Sequence, residues 1–77
     1  MEMVEGSAND FSRKHRALTR RESEVLHWVG LGKSNREIAE ILDLAPATVS
    51  KHLERIYPKL GVDNRTAAAH FAAQLTS

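Results

Sequence analysis

Two tetrapeptides of this sequence, TRRE at Thr19–Glu22 and SNRE at Ser34–Glu37, set a hydroxyl residue three positions ahead of a glutamate. At the start of a helix that spacing lets the hydroxyl accept from the third helical N–H while the carboxylate reaches back to the N–H of the cap. Apolar residues at helical spacing follow each one. Val25, Leu26 and Val29, with Trp28 beside them, come after the first; Ile38, Ala39, Ile41 and Leu42 come after the second and are expected to face inward. The chain is thereby committed to short helices. The first is expected over about 20–31, with Gly30 and Gly32 offering the left-handed stop. The second is expected over about 35–43, because Pro46 cannot continue it and biases Ala45 away from helical geometry.

Pro46 suits the first turn of a third helix, where its missing N–H would have no intrahelical partner. Val49, Leu53, Ile56, Tyr57 and Leu60 then form a core-facing stripe, spaced i, i+4, i+7, i+8 and i+11. Pro58 removes the N–H that would bond Glu54, a change that costs about 3 kcal/mol in a helix interior. It lies only three residues before Gly61, so just the last turn is at stake. The third helix is therefore expected over 46–60, bending or shortened near Tyr57. Asn64 can cap a fourth helix over about 64–76, in which Ala68, Phe71, Ala72 and Leu75 repeat the helical pattern. No segment reads as a strand. The fold expected is all-α, a four-helix domain at 18–77 preceded by a flexible arm or linker at 1–17, which is polar and lacks apolar periodicity.

Seventy-seven residues make one small domain, and the absence of cysteine removes disulfides and thiolate metal sites as staples. His15, His27, His52 and His70 are never three or four apart, so no metal and no cofactor is expected. Neither a nucleophile elbow nor a glycine-rich phosphate loop occurs, and the chain is not read as an enzyme. No apolar run approaches the ~18–20 residues needed to cross a bilayer, and MEMVEGSAND lacks the basic and apolar segments of a secretion signal. A cytoplasmic, nucleoid-associated location without membrane contact is expected.

The net charge of +1 makes no case for a nucleic-acid partner, but its distribution does. Residues 47–61 hold three bases, Lys51, Arg55 and Lys59, against one acid, Glu54. At about 100° per residue from Val49, the apolar stripe of the third helix centres near 20°. Lys51 falls near 200°, Arg55 near 240°, Thr48 near 260°, Lys59 near 280° and His52 near 300°, at about 100° per residue. These donors form one continuous flank. The connection DLAP is too short for a relaxed antiparallel hairpin and favours a steep crossing of helices two and three, with small Ala39 allowing close approach. A solvated charged face would look the same in isolation.

The blocks LTRRE, GKSNREIA, ATVSKHL and KLGVDNRT, in order and in register over residues 18–69, resemble the LuxR-type helix-turn-helix, the DNA-binding output domain of many bacterial transcription regulators. The resemblance implies that the third helix enters the major groove of double-stranded DNA and that the fourth pairs two subunits. Carried onto this sequence, it implies base or backbone contacts from Thr48, Ser50, Lys51 and Glu54, and phosphate contacts around Asn35, His52, Arg55, Lys59 and Arg65. Arg65 opposes its own helix dipole, so a phosphate or a nearby acid is expected as its partner. His52 suits a packed position as well as a phosphate contact. Ala69 and Ala73, small residues one turn apart, suit a homodimer contact on DNA.

Two departures from the family pattern bear on function. Glu54 stands where some members carry a base, and an acid there repels phosphate and accepts only from a donor such as cytosine N4. Ala45 replaces a frequent capping serine, a loss of about 0.5–2 kcal/mol. The function expected is sequence-specific DNA binding for transcription regulation, by the output domain of a larger regulator or by a stand-alone small regulator, with RNA polymerase as a further candidate partner. The alternatives are a sigma-factor-like promoter-recognition module, against which KLGVDNRTAAA argues, and a helical protein-interaction domain without DNA binding.

Overall fold

The computed structural model describes residues 13–76. The first twelve residues of the expected arm lie outside the described residues. Residues 13–16 form a helical turn, from which the Ala17 and Leu18 N–H groups bond the Lys14 and His15 carbonyls. Leu18 then enters the core, 9% exposed. Four helices follow: α1 (Arg20–Gly30), α2 (Asn35–Leu42), α3 (Pro46–Leu60) and α4 (Arg65–Thr76). Among the described residues there is no strand, and the fold is all-α as expected.

Both capping boxes form. The Thr19 and Ser34 hydroxyls each accept from a backbone N–H at 3.1 Å, and Glu22 and Glu37 each accept from the cap N–H, at 2.9 and 2.8 Å. Asn64 caps α4 by accepting from the Ala67 N–H at 2.8 Å. Helix α3 starts with Pro46 in its first turn and no side-chain cap on Ala45. Its hold comes from burial instead: Val49, Leu53, Ile56 and Leu60 are each at most 4% exposed. Burying one such side chain contributes about 1.5–3 kcal/mol, so the four together outweigh both the missing cap and Pro58.

Three local expectations are corrected. Helix α3 does not stop near Tyr57; it runs to Leu60, and Gly61 closes it in the left-handed region at φ 73°. Its ending is completed by the Gly61 N–H on the Pro58 carbonyl and the Val62 N–H on the Tyr57 carbonyl. Pro58 and Glu54 are both exposed residues, and Pro58 lies in the last turn of the helix, where the loss of one N–H costs least. Gly30 is not the stop of α1 but its last helical residue, and Gly32, at φ 84°, makes the left-handed turn. Glycine is needed at position 30 for space: a Cβ there would lie 2.7 Å from the Ala72 Cβ of α4. Ile41 does not face inward but is 45% exposed. The buried face of α2 is centred between Ile38, Ala39 and Leu42, and Ile41 lies about 100° away from that centre.

The connection between α2 and α3 turns at Asp43, held in the left-handed region at φ 58°. There the Leu44 N–H reaches back to the Ala39 carbonyl at 2.8 Å. Helix α1 packs against α3 and α4, and α2 against α3. The arrangement holds the inner stripe of α3 against the body of the domain and turns its other side outward.

Candidate nucleic-acid interface

Because Val49, Leu53, Ile56 and Leu60 anchor α3, the positions between them are forced out. Ser50, Lys51, Glu54 and Arg55 are exposed, and Thr48 and His52 are half-buried at the edges of the stripe. These residues share one surface, two cations and one acid with two hydroxyls and an imidazole among them. The face has the width of a single helix, which matches the major groove.

Lys59 is placed differently. Its Nζ lies 2.7 Å from Glu22 Oε1, bonding a carboxylate that is 2% exposed at the start of α1. The one glutamate oxygen therefore accepts from both the Thr19 N–H and the Lys59 ammonium. Burial pushes the Glu22 carboxyl pKa up, but the Lys59 hydrogen bond, the Thr19 N–H and the charges of Lys59 and His52 outweigh it and hold the carboxyl below its ordinary value of 4.5. The TRRE spacing explains Glu22 as a capping residue alone, so this second role was not legible in it. No signal short of knowing that α1 packs on α3 could have paired residues 37 positions apart.

Among the described residues, Arg65 is paired with no acid inside the domain. Its guanidinium donates to Asn35 Oδ1 at 2.5 Å and to the Lys33 backbone carbonyl, while Asn35 Nδ2 donates to Ser50 Oγ at 3.1 Å. The first residues of α2 and α4 are thus joined to the exposed face of α3 by one polar chain. Both acceptors of Arg65 are neutral, so these bonds leave its positive charge uncancelled at the edge of that face. Asn35 and Arg65 are half-buried and lie beside Ser50, so this part of the expected site is gathered in one place.

The remaining expected residues lie elsewhere, on α4. Ala69 is half-buried and packed against the core. Ala73 is exposed and lines a shallow groove with His27, Gly30, Leu31 and Ala72, beside which Leu31 is 60% exposed. Among the described residues, no group of three or more histidines and acids could hold a metal ion, and no helix is long and apolar enough to cross a membrane.

Comparison with known proteins places this arrangement. Residues 16–72 match the family described as GerE, bacterial regulatory proteins, luxR family. Over 74 residues the chain is 35% identical to the transcriptional activator protein ExpR of Pectobacterium parmentieri, covering 96% of this chain and 30% of that one. It is 46% identical over 61 residues to the uncharacterized transcriptional regulatory protein YhcZ of Bacillus subtilis, covering 79% of this chain and 28% of that one. It is 45% identical over 58 residues to the HTH-type quorum-sensing regulator RhlR of Pseudomonas aeruginosa, covering 75% and 24%. The chain thus spans less than a third of the length of these relatives. With four helices in the expected order and a match that covers the first three and reaches into the fourth, the chain belongs to the luxR family of bacterial regulatory proteins, as its helix-turn-helix domain.

Proposed function

We propose that this chain binds double-stranded DNA in a sequence-specific way to regulate transcription, with α3 in the major groove. The observation that carries the reading is the outward face of α3, where Ser50, Lys51, Glu54 and Arg55 are exposed on a helix whose other side is locked into the core. A rigid helix with donors on one face is what base readout requires. Lys51 and Ser50 stand as base or backbone contacts, Arg55 and Arg65 as phosphate contacts, and Thr48 and His52 flank them. Lys59, bonded to Glu22, contributes less to DNA binding than Arg55 and Arg65.

Pairing through α4 supports a two-fold operator. Ala73 and Leu31 border one apolar groove, which suits a second copy of the domain. The test is selection from randomised duplex DNA at physiological salt. An enriched inverted repeat with half-site centres about 10 bp apart is the expected result. Enrichment of a single half-site would remove the dimer, and no enrichment would favour a protein-interaction domain. Lys51→Ala is expected to relax preference at one position by about 1–3 kcal/mol.

A further inference from the structure

The chain of bonds Lys33–Arg65–Asn35–Ser50 has a direction, and chemistry determines it. A guanidinium has donors and no acceptor. Wherever Arg65 meets the Asn35 amide, it must therefore meet the oxygen, as it does at Oδ1. That leaves Nδ2, a donor, facing Ser50, and it lies 3.1 Å from Oγ. The Ser50 oxygen accepts there, so its hydrogen must point elsewhere. Ser50 is exposed on the outward face of α3, beside Lys51.

We infer that Arg65 and Asn35 set the hydrogen-bonding polarity of Ser50, so that α3 presents this hydroxyl to DNA as a donor. The inference rests on the DNA-binding reading above and makes Asn35 and Arg65 positioning residues for a contact made one helix away. The partner of Ser50 is an acceptor: guanine O6 or N7, adenine N7, thymine O4, or a phosphate oxygen. A cytosine amino group only donates, so it cannot take the Ser50 hydrogen. Glu54 on the same face has the opposite preference, and the two together would make α3 a reader with one donor and one acceptor position in addition to its cations.

Asn35→Asp tests the direction of the chain. The carboxylate keeps the Arg65 contact and suits the first turn of α2. It can only accept, however, so the Ser50 hydrogen must turn back to it and is lost to DNA. The measurement is a double-mutant cycle of N35D and S50A, read as Kd for the selected duplex and as melting temperature without DNA. S50A is expected to weaken binding about tenfold, and N35D to cost about five- to tenfold more with Ser50 present than in the S50A background. Comparing the two backgrounds removes the repulsion between the new carboxylate and phosphate. The melting temperature of N35D is expected not to fall, because the carboxylate keeps both the Arg65 and the Ser50 contacts, so a loss of affinity cannot be put down to unfolding.

Repeating the selection with S50A separates the two acceptor sources: relaxed preference at one base pair identifies a base, and a uniform loss identifies a phosphate. The side-chain amide resonances of Asn35 should also shift in S50A without DNA. Additive effects of the two substitutions, or unmoved amide resonances, would overturn the inference while leaving DNA binding intact, with the hydroxyl turned instead to the Pro46 carbonyl of its own helix. A wild-type domain that retains no duplex would overturn the functional reading and this inference with it.

Discussion

Helices α1 and α2 begin with the same device, and the two copies have different surroundings. The Ser34–Glu37 box is exposed, and Glu37 accepts from the Ser34 N–H with the Lys33 charge nearby. The Thr19–Glu22 box lies where α3 passes over α1, so Glu22 is buried and also accepts from Lys59. Local geometry is alike in the two, with cap bonds of 2.8–3.1 Å in each. What separates them is whether another helix covers the carboxylate. A capping motif therefore predicts a helix start well and says little about its contribution to stability.

The comparison can be broken by experiment, and the largest effect is expected at Glu22. Glu22→Ala leaves the Thr19 N–H and the partly exposed Lys59 ammonium without their acceptor, and should lower stability by about 1–3 kcal/mol in urea unfolding. Glu37→Ala should cost much less, because water replaces the lost oxygen. Equal losses would show that burial does not distinguish the two boxes. Lys59→Met should come next, at about 1–2 kcal/mol, since Glu22 keeps its backbone donor. It should leave the salt dependence of DNA binding almost unchanged, whereas Arg55→Ala should reduce the slope by about one.

The pH dependence follows the same division. Glu22 is held below its ordinary value when folded, so its stabilising contribution is complete above the unfolded value and is lost as pH falls through the lowered folded value. Glu37 is lowered too, first by the Ser34 N–H, but in full contact with water. Glu22→Gln should therefore flatten the acid limb of the stability curve more than Glu37→Gln, as measured by melting temperature from neutral pH down to the acid transition.

The hydroxyl halves of the boxes should differ least. Thr19→Ala and Ser34→Ala are each expected to cost about 1 kcal/mol, because both hydroxyls bond one backbone N–H at the same distance. The smallest change is a gain. Helix α3 has no box, and Ala45→Ser should add about 0.5–1 kcal/mol, read from the urea midpoint, by supplying the missing cap.

Much of the fold was legible because its signals are local. Caps, prolines, glycines and apolar spacing act within a few residues of chain, and they located four helices to within about a residue at each end. The outward face of α3 was legible for the same reason: once Val49, Leu53, Ile56 and Leu60 are inside, helical geometry alone places Ser50, Lys51, Glu54 and Arg55 outside. Membership in the luxR family was legible in four blocks of residues in register. Pro58 lies in the last turn of α3, and the helix keeps its expected span to Leu60.

The rest depends on which helices touch. Residues 20–75 carry their own instructions for where each helix starts and stops, since those are contests between neighbouring backbone groups. Nothing within a few residues of Gly30 says that the Ala72 Cβ will press against it, or that Ile41 will miss the core by a fraction of a turn. Nor does any local pattern join Glu22 to Lys59, or Arg65 to Asn35 and Ser50. Those pairings form only when packing of the apolar stripes brings distant polar groups within bonding range, because hydrogen bonds are short-ranged and directional.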